Sequence, residues 1–350
     1  MNLFADAVAK LASGWVEFPN LFGDKGLRIP VNDTAFTIGT FEVKWYGILI
    51  CAAVILCISL ALHACEKHGI QQDDLLDYIL FAIPSAIIGA RVYYVLFNLD
   101  NYKDDWKSIF DYWEGGLAVY GGVIAALLAA FFVALYKKQS FIKIAGFAAP
   151  YIILGQAIGR WGNFFNQEAF GGPTTLPWGM TGNEIQEFVA YQTRSGVPGY
   201  ELGSLVHPTF FYESLWCLLV FLFMMIYRRK WEKTEGEGLC LYMILYGIER
   251  AIVEGLRTDS LYIGHTSIRV SQLLSGILII AGIALFIDVR RKWRNTQYEN
   301  ADPSMGSGGL ETVVEKMKNT DTEVPTTPEH VTPAKETKAE QVKHSDDEES

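Results

Sequence analysis

LCLYMILYGIERAIVEGL, residues Leu239–Leu256, is an apolar run that carries Glu249, Arg250 and Glu254. Tyr246, Arg250 and Glu254 are spaced i, i+4, i+8, and Arg257 follows three residues later. At about 100° per residue, these four fall within roughly 80° on a helix. They make one polar stripe on an otherwise apolar surface. A charged residue at a bilayer centre costs about 2.5–3.5 kcal/mol on insertion scales. Such a stripe needs partners or a water-filled cavity, which a bundle of spanning helices supplies.

Six further apolar runs surround this one: Tyr46–Leu62, Ile79–Phe97, Leu117–Tyr136, Ile144–Ile158, Phe210–Tyr227 and Val270–Ile287. About 20 mostly apolar residues cross a bilayer core. The expected fold is an all-α, polytopic membrane protein with seven transmembrane helices. Ser85 and Gly89 in the second run would let backbones approach closely. The composition agrees. Half of the 350 residues are hydrophobic and only 19% are charged, against about a quarter in soluble domains. No basic face appears, so no nucleic-acid partner is expected. The five cysteines are odd in number and show no CxxC pair or His/Cys ligand spacing. Neither a disulfide framework nor a metal site is expected. Met1–Phe22 lacks the charged-then-apolar order of a secretory signal.

Orientation follows from lysine and arginine. Twelve basic residues lie in short stretches after runs one, three, five and seven, among them Lys67, Lys143, Arg228 and Arg290. Ten are spread over the longer segments on the other side. The first set is predicted cytoplasmic. The N-terminus and the Gly/Pro-rich loop 159–209 are then exterior, and the C-terminus is cytoplasmic. Residues 1–44 read as an exterior or interfacial segment and 45–295 as the membrane body. Residues 296–350 read as a disordered acidic cytoplasmic tail. From Asn300 onward there are 12 acidic and 5 basic residues. Most of the net charge of −10 therefore belongs to the tail.

The unusual polar residues gather on the predicted exterior side, and apart from Arg160 and Arg257 the orientation argument did not use them. Arg160, Asn163, Asn166 and Glu168 follow run four. Tyr46 opens run one, Tyr120 lies near the start of run three, and His207 precedes run five. Arg91 lies in the outer half of run two, and the stripe climbs run six. A bland reading pairs Glu254 with Arg250 or Arg257. It leaves Arg160 unexplained. Several arginines at a lipid–water boundary suit a phospholipid head group, because the guanidinium fork matches phosphate oxygens. On the residues alone, an enzyme and a transporter of phospholipid or anionic solute both remain open. No HExxH or GxSxG occurs, which speaks against an intramembrane protease.

The run Gly159-Arg160-Trp161-Gly162-Asn163-Phe164-Phe165-Asn166-Gln167-Glu168-Ala169-Phe170-Gly171 resembles the signature G-R-x-G-N-F-x-N-x-E-x-x-G of the bacterial prolipoprotein diacylglyceryl transferases. All eight fixed positions match. Trp45-Tyr46-Gly47, Gly89-Ala90-Arg91, His207-Pro208-Thr209 with Tyr212-Glu213, and Tyr246-Gly247 with Arg250, Glu254 and Arg257 also look like family motifs. The resemblance covers roughly Phe41 to Arg294.

It implies a seven-helix protein of the bacterial plasma membrane with an outward-facing site. Such an enzyme moves the diacylglyceryl group of phosphatidylglycerol onto the lipobox cysteine thiol of a prolipoprotein, and glycerol phosphate leaves. No cofactor or metal is implied. Arg160 and Arg250 would grip the phosphate, with Arg257 and Arg91 beside them. Asn163 and Glu168 would hold the head group or the loop. Tyr46 and Tyr246 would position the reacting groups, and Glu254 would orient Arg250 or act as a base. Gly162 and Gly171 would permit tight turns. One departure matters. Many family members carry a histidine before a Gly-Gly pair at the start of span three. Tyr120 stands there in this chain. A tyrosine, with pKa about 10, is a poor base near neutrality. A histidine-base mechanism therefore does not transfer to Tyr120. His207 is read as a loop-shaping residue or an alternative catalytic group.

Overall fold

The structure, a computed structural model, describes residues 14–103, 105–110, 115–258, 262, 266 and 269–301. The described residues up to Arg294 form one compact unit. The predicted tail beyond 301 lies outside the described residues.

The chain is mostly helical. Its long helices are α1 (Trp45–Cys65), α2 (Gln72–Phe97), α3 (Val119–Lys137), α4 (Phe141–Asn166), α6 (Thr209–Lys230), α7 (Glu237–Leu256) and α8 (Val270–Ala301). A shorter α5 spans Asn183–Arg194. Among the described residues, six helices are long and apolar enough to cross a membrane. The seventh, α7, has 20 residues but carries Glu237, Glu249, Arg250 and Glu254. By apolarity alone, then, the structure supports six spans rather than the seven expected. The stripe that marks α7 as unusual is what lowers its hydropathy.

Half of α4's apolar window is buried, against 11% for α2. Helix α4 is therefore the central strut, packed by α1, α6 and α7, while α2 and α3 pair with each other. Small residues set that pairing. A Cβ at Gly89 would stand 2.2 Å from Ala125 Cβ, and one at Gly121 would stand 2.2 Å from Tyr93 Cβ. Outward faces carry large apolar side chains such as Leu80, Phe132 and Ile280. That suits lipid-facing helices, whose backbone groups are satisfied internally.

An all-α description is too strict. Strand β1 (Trp15–Phe18) pairs antiparallel with β2 (Leu27–Pro30) and with β5 (Thr181–Gly182). Val16 lies opposite Gly182. The N-terminal segment and the loop after α4 thus share one core, with Val16, Val31, Phe164, Met180, Ile185 and Val206 buried together. A boundary at residue 44 does not separate two bodies. Strands β3 (Thr34–Ile38) and β4 (Phe41–Lys44) form a hairpin that leads directly into α1. Lys44 Nζ holds Asp33 at 2.6 Å and Glu42 at 2.8 Å, and Trp45 N–H donates to Asp33 O at 2.9 Å. Burial pushes the Asp33 carboxyl up. The Lys44 and Thr34 hydrogen bonds outweigh it and hold the carboxyl below its ordinary value. This clamp fixes the start of α1 and hence Tyr46.

Helix α8 runs on to Ala301, past the expected tail boundary at 296. No glycine or proline interrupts Phe286–Ala301, and Pro303 disfavours helix at the residue before it.

Candidate active site

Three helices meet where the polar residues converge. Helix α4 brings Arg160 in its closing turns, α6 brings Glu213 in its first turns, and α7 brings the stripe. Glu213 is 1% exposed and is the hub. Arg160 Nη1 lies 2.5 Å from Glu213 Oε2, Arg250 Nη1 donates to Oε1 at 3.2 Å, and Arg257 Nη1 approaches Oε1 at 3.8 Å. Arg250 Nη2 pairs with Glu254 Oε2 at 2.8 Å, one helical turn along. Glu254 is buried like Glu213. The three guanidiniums are thus held by carboxylates from two helices. In a buried network, removing one member leaves a charge uncompensated, at a cost of about 3–5 kcal/mol.

Tyr246 stacks on Tyr242 with ring centres 5.5 Å apart, and Gln156 Nε2 donates to the Tyr242 hydroxyl at 2.9 Å. Tyr246 lies within electrostatic reach of Arg160, Arg250 and Glu213. Glu249, also buried, is within reach of Glu213 and all three arginines. Neither of its oxygens finds a hydrogen-bond partner among the described residues. Tyr46 lies within reach of Arg160 and Glu168.

The turn after α4 is built from amides. Asn163 Nδ2 and Asn166 Nδ2 both donate to Glu168 Oε1, at 2.9 and 3.1 Å. Gln167 closes α4 at φ +49°, and its Oε1 accepts from Glu184 N–H at 3.2 Å. Gly171 N–H donates to His207 O at 2.9 Å, and Gly172 N–H to Leu256 O at 2.8 Å. These bonds stitch the signature turn to the ends of α6 and α7.

The family model of the prolipoprotein diacylglyceryl transferases matches residues 33–288. The chain belongs to this family. Similar relatives are named phosphatidylglycerol–prolipoprotein diacylglyceryl transferase. One from Finegoldia magna is 44% identical over 258 residues, covering 74% of this chain and 96% of the relative. One from Oceanobacillus iheyensis is 43% identical over 275 residues, covering 78% and 92%. One from Thermotoga petrophila is 43% identical over 257 residues, covering 73% and 84%. The chain is accordingly a transferase and a multi-pass membrane protein.

Within this diacylglyceryl transferase, several expected site residues stand elsewhere than the sequence suggested. Arg91 is 5% exposed, and carbonyls of a neighbouring loop take its donors. Its Nε donates to Ile109 O at 2.8 Å, Nη1 to Gly115 O at 2.8 Å and Gly116 O at 3.0 Å, and Nη2 to Ser108 O at 2.7 Å. It braces the approach to α3 instead of joining Arg160. Tyr120 is 41% exposed, and its hydroxyl lies 3.4 Å from Ser271 Oγ on α8. His207 Nδ1 lies 3.3 Å from the Tyr212 hydroxyl, which accepts from Trp178 Nε1 at 2.7 Å. Burial holds the imidazole below the ordinary histidine value. It is therefore neutral near pH 7.

The two glycines serve close approach, not tight turns. Gly162 sits inside α4, where a Cβ would meet Tyr46 Cδ2 at 2.2 Å. A Cβ at Gly171 would meet His207 Cβ at 2.8 Å and Leu256 O at 3.0 Å. The positive φ angles of the turn fall on Gln167 and Ala169. Glu213 lies in a family-like motif, and the sequence alone assigns it no role. A partial signal was present: three arginines brought to one level demand a counter-ion, and Glu213 is the one carboxylate of α6.

Proposed function

We propose that this enzyme transfers the diacylglyceryl group of phosphatidylglycerol to the lipobox cysteine thiol of prolipoproteins, from the exterior side of the plasma membrane. The observation that carries the site assignment is the convergence of Arg160, Arg250 and Arg257 on buried Glu213. The names of the relatives support the substrates. Nothing in the structure favours the transporter reading. The proposed body spans the membrane seven times, α7 being shielded by α4 and α6. The N-terminus and the turn after α4 lie outside, and the C-terminus lies inside.

In the reaction, the bond between the glycerol carbon of the diacylglyceryl group and the bridging phosphate oxygen breaks. A carbon–sulfur bond forms, the thiol gives up its proton, and glycerol phosphate leaves. Charge develops on the bridging oxygen. Arg160 and Arg250 are the donors for it, and Arg257 adds positive field. Glu213 and Glu254 hold the forks in place beforehand, so little reorganisation is needed as charge builds. A free thiol is only a few per cent ionised near pH 7, and a fixed cationic field favours the thiolate. Tyr46 and Tyr246 flank the same group and position the reactants. Asn163 and Glu168 present a rigid polar edge for the head group.

The test uses the purified full-length chain, phosphatidylglycerol vesicles and a lipobox peptide. The peptide is expected to gain the diacylglyceryl mass on its cysteine, and a Cys→Ser peptide to gain nothing. No mass gain on the cysteine peptide would overturn the assignment.

A further inference from the structure

A pocket lies at the opposite end of α4 from Arg160. The turn after α1, the starts of α4 and α7, and the end of α6 border an open pocket of about 360 Å³. Lys143 and Arg160 are 17 residues apart on α4, which is roughly 26 Å along the axis. The pocket is therefore separate from the arginine group of the transfer site.

Its lining carries Lys67, Lys143, Arg228 and Lys233 against Glu232 and Glu235. Cations outnumber carboxylates by two, and both carboxylates are already engaged. Glu235 pairs with Lys143 at 2.5 Å, and Glu232 with Arg228 Nε at 3.7 Å. Lys67 and Lys233 are exposed and make no ion pair among the described residues.

Arg228 is the fixed element. Its side chain is 7% exposed, and its Nη2 donates to Gly146 O and Phe147 O, each at 2.9 Å. Its guanidinium also lies 5.3 Å from the centre of the Phe147 ring. A permanent charge is thus anchored by backbone and aromatic contacts, with its carboxylate at the far limit of an ion pair. Gly236 immediately precedes α7 and lines the pocket, and it packs on Gly146 near the start of α4. The ends of α1 and α6 border the same pocket, so the helix dipoles roughly cancel and its positive character rests on the side chains.

We propose that this pocket is a second anion site, which takes a phosphate ester. The volume lies at the small end of ligand pockets and suits a compact group. The phosphate is carried by an anionic lipid head group of the adjoining leaflet or by a free phosphate ester, and the experiment separates the two.

The full chain is prepared with Arg160→Ala, so that lipid binding at the transfer site does not mask the signal. Glycerol phosphate is titrated calorimetrically against the protein in detergent. Retention of phosphatidic acid over phosphatidylcholine is read by native mass spectrometry. Both are repeated with Lys67→Gln/Lys233→Gln added. The two lysines are exposed, so the fold should persist, and wild-type-like transfer by the double variant with Arg160 intact is the control for that. Either probe should bind, and the double variant should weaken it about tenfold. Saturation by glycerol phosphate identifies a free ester as the ligand. Selective retention of phosphatidic acid without it identifies a head group. Binding of neither probe, or equal binding by the double variant, would overturn the proposal.

Discussion

Glu213 is a single carboxylate touched by guanidiniums from two helices, and its chemistry is the most exposed part of the account. Glu213→Gln keeps the shape and removes the charge. Arg160, Arg250 and Arg257 would then repel one another around a neutral amide. The guanidiniums would lose their preorganised aim at the bridging oxygen, and loss of one such donor costs about 10²–10³-fold in rate, so transfer should fall by about a hundredfold or more. The check is the initial rate of peptide modification, normalised to folded enzyme. A rate within about twofold of wild type, well under 1 kcal/mol, would remove Glu213 from the site. The arginines were legible in the sequence because guanidinium is conspicuous in an apolar chain. Glu213 was legible only as a lone carboxylate in its run, because its role depends on which helices touch, and that is not written in any one run. Arg91 misled for the same reason. Its neighbours in the sequence are those of a membrane helix, whereas its partners are carbonyls of the loop that leads to α3.

The helices were readable because runs of apolar residues near membrane length leave few alternatives. The strands were not. Each has five residues or fewer, and Val16 finds its partner Gly182 far along the chain. No local period announces such a pairing. The crossing of α1 and α4 shows what a single element contact controls. The ring of Tyr46 occupies the space that a side chain at Gly162 would fill. Gly162→Ala should push α1 away from α4 and displace Tyr46. Overpacking of this kind costs about 1–3 kcal/mol. A lowered thermal midpoint in detergent together with reduced transfer is expected. Unchanged stability and rate would mean that the α1–α4 contact is softer than its geometry implies.

At the scale of the whole molecule, sidedness joins the site to its substrates. The arginine group, the turn after α4 and the sheet formed with β1 all belong to the end proposed as exterior. Single-cysteine variants at Trp161 and His207, labelled in intact cells with a membrane-impermeant thiol reagent, should react from outside. Labelling only after the cells are opened would reverse the topology. The claim on which everything else depends is that guanidiniums seize the lipid phosphate so that a thiol can displace it. The direct test compares purified wild-type enzyme with Arg160→Ala and Arg250→Ala, measuring diacylglyceryl mass on the lipobox peptide. Transfer by wild type and its loss in both variants, with normal expression and membrane insertion, is the expected result. Full transfer by both variants would contradict the account.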